Sequence, residues 1–175
     1  MEQQYVSYIR EQLHAVLGID SPSGCTEEVQ QYLCDTLRAM GYAPRRLVKG
    51  GVHVTLGGEG EPLTLLAHAD TLGAVVQYIK PNGRLAISNM TLNVHNAEAE
   101  NVKVITRFNG AYEGTLQLCN ASVHVNPDPN QARDLNKNME IVLDYDVKTK
   151  EDVEKMGILP GDAIALEPRL RITET

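Results

Sequence analysis

The sequence predicts an α/β or α+β layer at the start of the chain and a small β-barrel or sandwich after it. Three observations carry that expectation. Two amphipathic helical periods precede residue 41, two short apolar runs lie between residues 51 and 70, and strand-like runs alternate closely with turn signals from residue 74 onward.

The first helix is expected over Gln4 to Leu17, where Tyr5, Ile9, Leu13, Val16 and Leu17 recur at spacings of three and four. Pro22 and Gly24 of "DSPSG" break it. A second helix begins after Thr26 as N-cap, carries Glu27 and Glu28 in its first turn, shows Val29, Leu33, Leu37 and Met40 on one face, and stops at Gly41. "GVHVTLGG" and "PLTLLAHAD" then read as strands, since glycines and a proline bound short apolar runs. In the second half, "AVVQYI" and "RLAIS" flank "KPNG" and predict a hairpin. "VKVIT" and "TLQLCNASVHV" are joined through Asn109 and Gly110. "NPDPNQARDLNKN", with two prolines and no apolar period, reads as a surface loop. "MEIVLDYDV" is the next strand, and "TKEDVEKMG" is a short helix with Thr149 as N-cap and Asp152 completing a capping box. "ILPGDAIAL", whose "GILPGD" reads as a turn, and "RLRIT" close the series as strands.

Composition narrows the function. The 175 residues suffice for a real core, and 42% hydrophobic with 22% charged residues is ordinary for a globular protein. Sixteen basic residues against twenty-three acidic give a net charge of -7, which argues against nucleic acid and anionic membrane surfaces as partners. No apolar run approaches the roughly 18 residues of a membrane span, and "MEQQYVSYIREQ" lacks the order of a signal peptide, so a cytoplasmic location is expected. Cys25, Cys34 and Cys119 are odd in number and have no CxxC spacing, which speaks against a disulfide framework or a thiolate zinc site.

The chemically suggestive feature is His68 and Asp70, two residues apart at the end of an apolar run. On a strand both would point the same way, with Ala67 and Ala69 on the other face, and small neighbours would leave room for a ligand. A core histidine bonded to a nearby carboxylate has the same pattern. A metallohydrolase site needs three or more protein ligands, and there is no second HxD and no HExxH; His14, His53, His95 and His124 read as surface or packing residues.

Beyond these residues, "LTLLAHADTLGAVVQYIKPNGRLAIS", continued through "NAEAENVKVITRFNGAYEGTLQLCNASVHV" and "GILPGDAIAL", resembles the glutamyl and deblocking aminopeptidase family of co-catalytic metallopeptidases. The resemblance implies a partial α/β catalytic domain with an inserted small β-barrel-like domain. Residues 1–73 would be the first part of the catalytic domain, 74–167 the inserted β-barrel or PDZ-like dimerisation domain, and 168–175 the return towards the catalytic domain. It further implies that His68 is a ligand of one of two divalent metal ions, zinc or cobalt, and that Asp70 is the catalytic-site carboxylate orienting it. The metals would polarise a scissile carbonyl and lower the pKa of a bridging water, with peptides as substrates. The family's other ligands and its glutamate base follow the insertion, so the sequence is expected to be the N-terminal half of such an enzyme, inactive by itself and without tightly bound metal. Homo-oligomers are implied as well. The alternative expectation is a stand-alone assembly or regulatory module of the same ancestry, for which "LTLLA" would offer an open strand edge. A peptide-binding barrel is a third.

Overall fold

A computed structural model of the chain describes residues 2–173, which fall into two compact units. One comprises residues up to Asp70 together with the stretch from Pro168; the other runs from Thr71 to Glu167.

In the first unit, helix α1 spans Glu2–Leu17 and helix α2 spans Glu27–Ala39. Tyr32 of α2 donates its hydroxyl to Gln12 of α1 at 2.9 Å, and Val29 and Cys34 are buried. The C-terminus of α2 closes as the sequence expects. Gly41, at φ 89°, lets its own N–H reach the Arg38 carbonyl and the Tyr42 N–H reach that of Leu37, which satisfies two of the last carbonyls of the helix. Thr26 does sit at the N-cap position, but its side chain caps nothing; its Oγ1 instead accepts from Gln30 Nε2 at 2.8 Å. The stripe on α1 remains exposed at Tyr5, Ile9 and Leu13.

The strands expected between residues 51 and 70 shrink. β1, Arg45–Arg46, pairs antiparallel with β2, Val52–His53, so only two residues of "GVHVTLGG" join a ladder, and their partner strand was not anticipated. "PLTLLAHAD" forms no strand at all, and Leu63, Leu65 and Leu66 are 87%, 81% and 92% exposed. Strand propensity is only a fit to a pleated, half-buried surface, and nothing in the described residues offers this run a neighbouring strand or a cover. "RLRIT" likewise stays outside any strand over 169–173.

The second unit is a closed six-stranded barrel. Its strands are β3, Gly73–Ile79; β4, Leu85–Asn89; β5, Asn101–Ile105; β6, Ala111–Leu118; β7, Met139–Leu143; and β8, Ala163–Leu166. Around the barrel they run β3-β4-β7-β6-β5-β8, every pair antiparallel. Closure removes the open edges that a flat sheet of this size would expose. Val76, Leu85, Ile87, Val102, Val104, Leu116, Leu118, Ile141 and Ile164 fill the interior.

Local signals place most of this unit. In the β3–β4 turn the Gly83 N–H bonds the Lys80 carbonyl at 3.0 Å, with Gly83 at φ 77°. Helix α3, Lys150–Lys155, carries the full capping box between Thr149 and Asp152. "GILPGD" is indeed a turn, closed by Asp162 Oδ2 accepting from the Leu159 N–H at 2.7 Å. The exception is "TLQLCNASVHV", which ends as a strand at Leu118. Asn120 takes φ 56°, and Asn126 folds back to donate to the Asn120 carbonyl at 2.8 Å, so the alternating "SVHV" becomes turn.

One polar cluster sits on the barrel. Glu140 lies between core residues Met139 and Ile141 in sequence, faces the other way, and is only 3% exposed. Lys80 Nζ donates to its Oε2 at 2.7 Å, Arg84 to its Oε1, and Lys80 Nζ also meets Cys119 Sγ at 3.2 Å. Burial works to raise the Glu140 carboxyl, but the hydrogen bonds from Lys80 and Arg84 outweigh it and hold the group below its ordinary value.

Candidate functional site

His68 and Asp70 both lie in the first unit, on a segment with no ladder to hold it. They nevertheless meet. His68 Nδ1 is 3.0 Å from the Asp70 backbone oxygen and 3.3 Å from Asp70 Oδ1. Both contacts suit a neutral ring that carries its proton on Nδ1 and donates it, which leaves Nε2 as the nitrogen with a free lone pair. The His68 side chain is 86% exposed, so that lone pair is open to a ligand.

What holds the segment is the loop between α1 and α2. Ser21, fully buried, donates its hydroxyl to the Ala69 carbonyl at 3.1 Å. Ser23 donates to Asp70 Oδ2 at 2.5 Å, within the range of a charge-assisted O–H···O⁻ bond. That bond is the chief reason the Asp70 carboxyl sits below its ordinary value; the neighbouring imidazole adds to it. Sequence reasoning read "DSPSG" only as a helix breaker and missed both serines. The partners lie 47 and 48 positions apart, and no local pattern announces such a contact.

The arrangement can present one imidazole nitrogen, oriented by a carboxylate, as metal-ligating histidines commonly are. Zinc sites use three or four protein ligands. Among the described residues no group of three or more His, Cys, Asp or Glu side chains is placed to hold a metal ion. The geometry therefore fits one ligand of a metal centre and does not fit a complete centre.

Comparison with known proteins adds the family. Residues 50–175 match the profile of the M42 glutamyl aminopeptidases. The chain belongs to this family. YhfE of Bacillus subtilis (strain 168), which carries an aminopeptidase assignment, is 36% identical over 168 residues, covering 94% of this chain and 49% of YhfE. A TET aminopeptidase from the marine sediment archaeon Thaumarchaeota archaeon SCGC AB-539-E09 superposes with a TM-score of 0.82 at 20% identity, over 94% of this chain and 46% of its own. Aminopeptidase APDkam598 from Desulfurococcus kamchatkensis gives a TM-score of 0.78 at 23% identity, over 93% and 44%. The chain thus spans about half the length of these relatives. The solved structures share its fold.

Proposed function

We propose that this chain supplies one metal ligand, His68, and its orienting carboxylate, Asp70, to a two-metal aminopeptidase that removes N-terminal residues from peptides. The observation that carries this reading is the pairing of His68 Nδ1 with Asp70, which leaves Nε2 exposed on a residue pair the family uses at its metal centre. Zinc or cobalt are the metals that the family resemblance implies for such a site.

By itself the chain does not hydrolyse peptides. One imidazole leaves most of a metal's coordination to water, so metal binding by these residues alone is weak. The pure chain, assayed on aminoacyl anilides with zinc or cobalt added, should show no turnover above buffer. Steady hydrolysis that a chelator abolishes would overturn this reading. Free Cys25, Cys34 and Cys119 are in keeping with the reducing cytoplasm, where we place the protein. The barrel is the candidate dimerisation domain, and the parent protein a homo-oligomer. In support, a TET1 peptidase of Pyrococcus horikoshii, with a TM-score of 0.74, assembles into a tetrahedron or an octahedral shell.

The exposure of Leu63, Leu65 and Leu66 favours a second reading, a non-catalytic assembly module. Light scattering separates the two: self-association that depends on these leucines supports the module, and a clean monomer at all concentrations counts against it.

A further inference from the structure

We propose that Ser23 is a positioning residue: by holding the Asp70 carboxylate toward His68 it strengthens the preference of the ring proton for Nδ1. The inference rests on reading His68 as a ligand for its purpose, while its geometry stands separately.

The terminal torsion of an aspartate is soft, so a carboxylate next to an imidazole does not by itself keep one oxygen turned toward it. Residues 61–70 belong to no ladder, and strand-type pairing here is limited to isolated bridge residues at Pro22 and Thr71. The α1–α2 loop supplies the restraint from two points. Ser21 ties down the Ala69 carbonyl, and Ser23 ties down Asp70 Oδ2, so that Oδ1 faces His68 Nδ1 at 3.3 Å and adds to the nearer Asp70 backbone oxygen at 3.0 Å.

The loop is itself built to do this. The Cys25 N–H bonds the Pro22 carbonyl at 2.8 Å, closing a four-residue turn with Ser23 second and Gly24 third. Gly24 has φ 86°, the value that a type II turn demands at that position and that glycine adopts without strain. Proline at 22 and glycine at 24 therefore fix the backbone on both sides of Ser23. A serine in this place has one short bond to make, and it makes it to the carboxylate that faces the histidine.

The consequence is chemical. With Nδ1–H donated toward Asp70, the Nε2 lone pair is always available; with the proton on Nε2, that nitrogen is closed to any electrophile. Ser23 would touch neither metal nor substrate, and would act only by keeping the ring in the form that can bind.

The test is ¹⁵N NMR of the histidine rings in the whole chain at about pH 8.5, two units above the ordinary imidazole value. His68→Gln assigns the signal among the five histidines. The wild-type His68 should be mainly the Nδ1–H tautomer. Ser23→Ala should lower the ratio of Nδ1–H to Nε2–H by about 2- to 10-fold, the effect of losing one hydrogen bond of ordinary net strength. Ser23→Thr, which keeps the hydroxyl, should restore it, and the backbone amide spectrum reports whether each variant is folded. Asp70→Asn gives a second handle: with its oxygen held by Ser23, the amide NH₂ would face Nδ1 and lower the Nδ1–H share further, against the backbone oxygen that still accepts there. A wild-type ring in the Nε2–H form, or a tautomer ratio indifferent to Ser23→Ala in a folded chain, overturns the inference. Adding zinc separates this from the functional reading. A tautomer that obeys Ser23 while millimolar zinc shows no preference for His68 Nε2 supports the positioning role and counts against His68 as a ligand. Zinc that selects Nε2 with a tautomer indifferent to Ser23 does the reverse.

Discussion

The two units differ in how far each is finished. In the barrel, every strand has two neighbours, the interior is filled by large aliphatic side chains at or near zero exposure, and the buried Glu140 carboxylate has cations for partners. In the unit formed by residues up to 70 and from 168, two small strands pair only with each other, and Tyr5, Ile9 and Leu13 of α1 are exposed, as are Leu63, Leu65 and Leu66. The difference teaches where this chain's stability resides and where its chemistry does. The self-sufficient part carries no candidate ligand, and the candidate ligand sits on the part that has not buried its apolar surface.

Substitutions can break or sharpen that contrast, beginning with the largest effect. Ile141→Ala in the barrel core should cost about 2–5 kcal/mol in denaturant unfolding, the range for removing a fully buried aliphatic side chain. A much smaller loss would mean that the barrel is loosely packed. Next, Glu140→Gln should cost about 1.5–3 kcal/mol, since it removes a buried acceptor of charged hydrogen bonds. The sign with pH follows from the lowered carboxyl. The stability it contributes is fully present above the ordinary carboxylate value and is lost as pH falls through the lower folded-state value. Acid titration of the melting temperature should therefore be flatter in Glu140→Gln than in the wild type. Third, Thr149→Ala should cost about 1 kcal/mol by removing one half of the α3 capping box. Smallest, Leu66→Ser should change unfolding by less than about 0.5 kcal/mol, because its side chain leaves little water on folding. An effect as large as that of Ile141→Ala would show Leu66 to be buried in solution and would erase the contrast.

How much the sequence disclosed follows the same line. The β3–β4 hairpin, the Asn109-Gly110 turn, α3 with its box and the stop at Gly41 were all legible, because each is decided by residues within a few positions of one another. Leu63 to Leu66 were misread as a strand because a strand is completed by a partner, and periodicity carries no information about whether one is present. "SVHV" was misread because the Asn126 side chain competes for the backbone by bonding the Asn120 carbonyl, and Asn120 itself takes a left-handed φ. Of the site, the sequence offered His68 and Asp70, and the two do face each other. It did not offer Ser21 and Ser23, whose contacts cross almost fifty residues and replace the strand ladder that the pattern had promised.

Native-state hydrogen exchange of the whole chain tests the central contrast most directly. Amides of β4, β6 and β7 should share one high protection set by global unfolding, whereas those of residues 63–70 should exchange with little protection despite their apolar sequence. Protection of residues 63–70 equal to that of β7 would contradict the account, since the segment bearing His68 would then belong to structure as complete as the barrel.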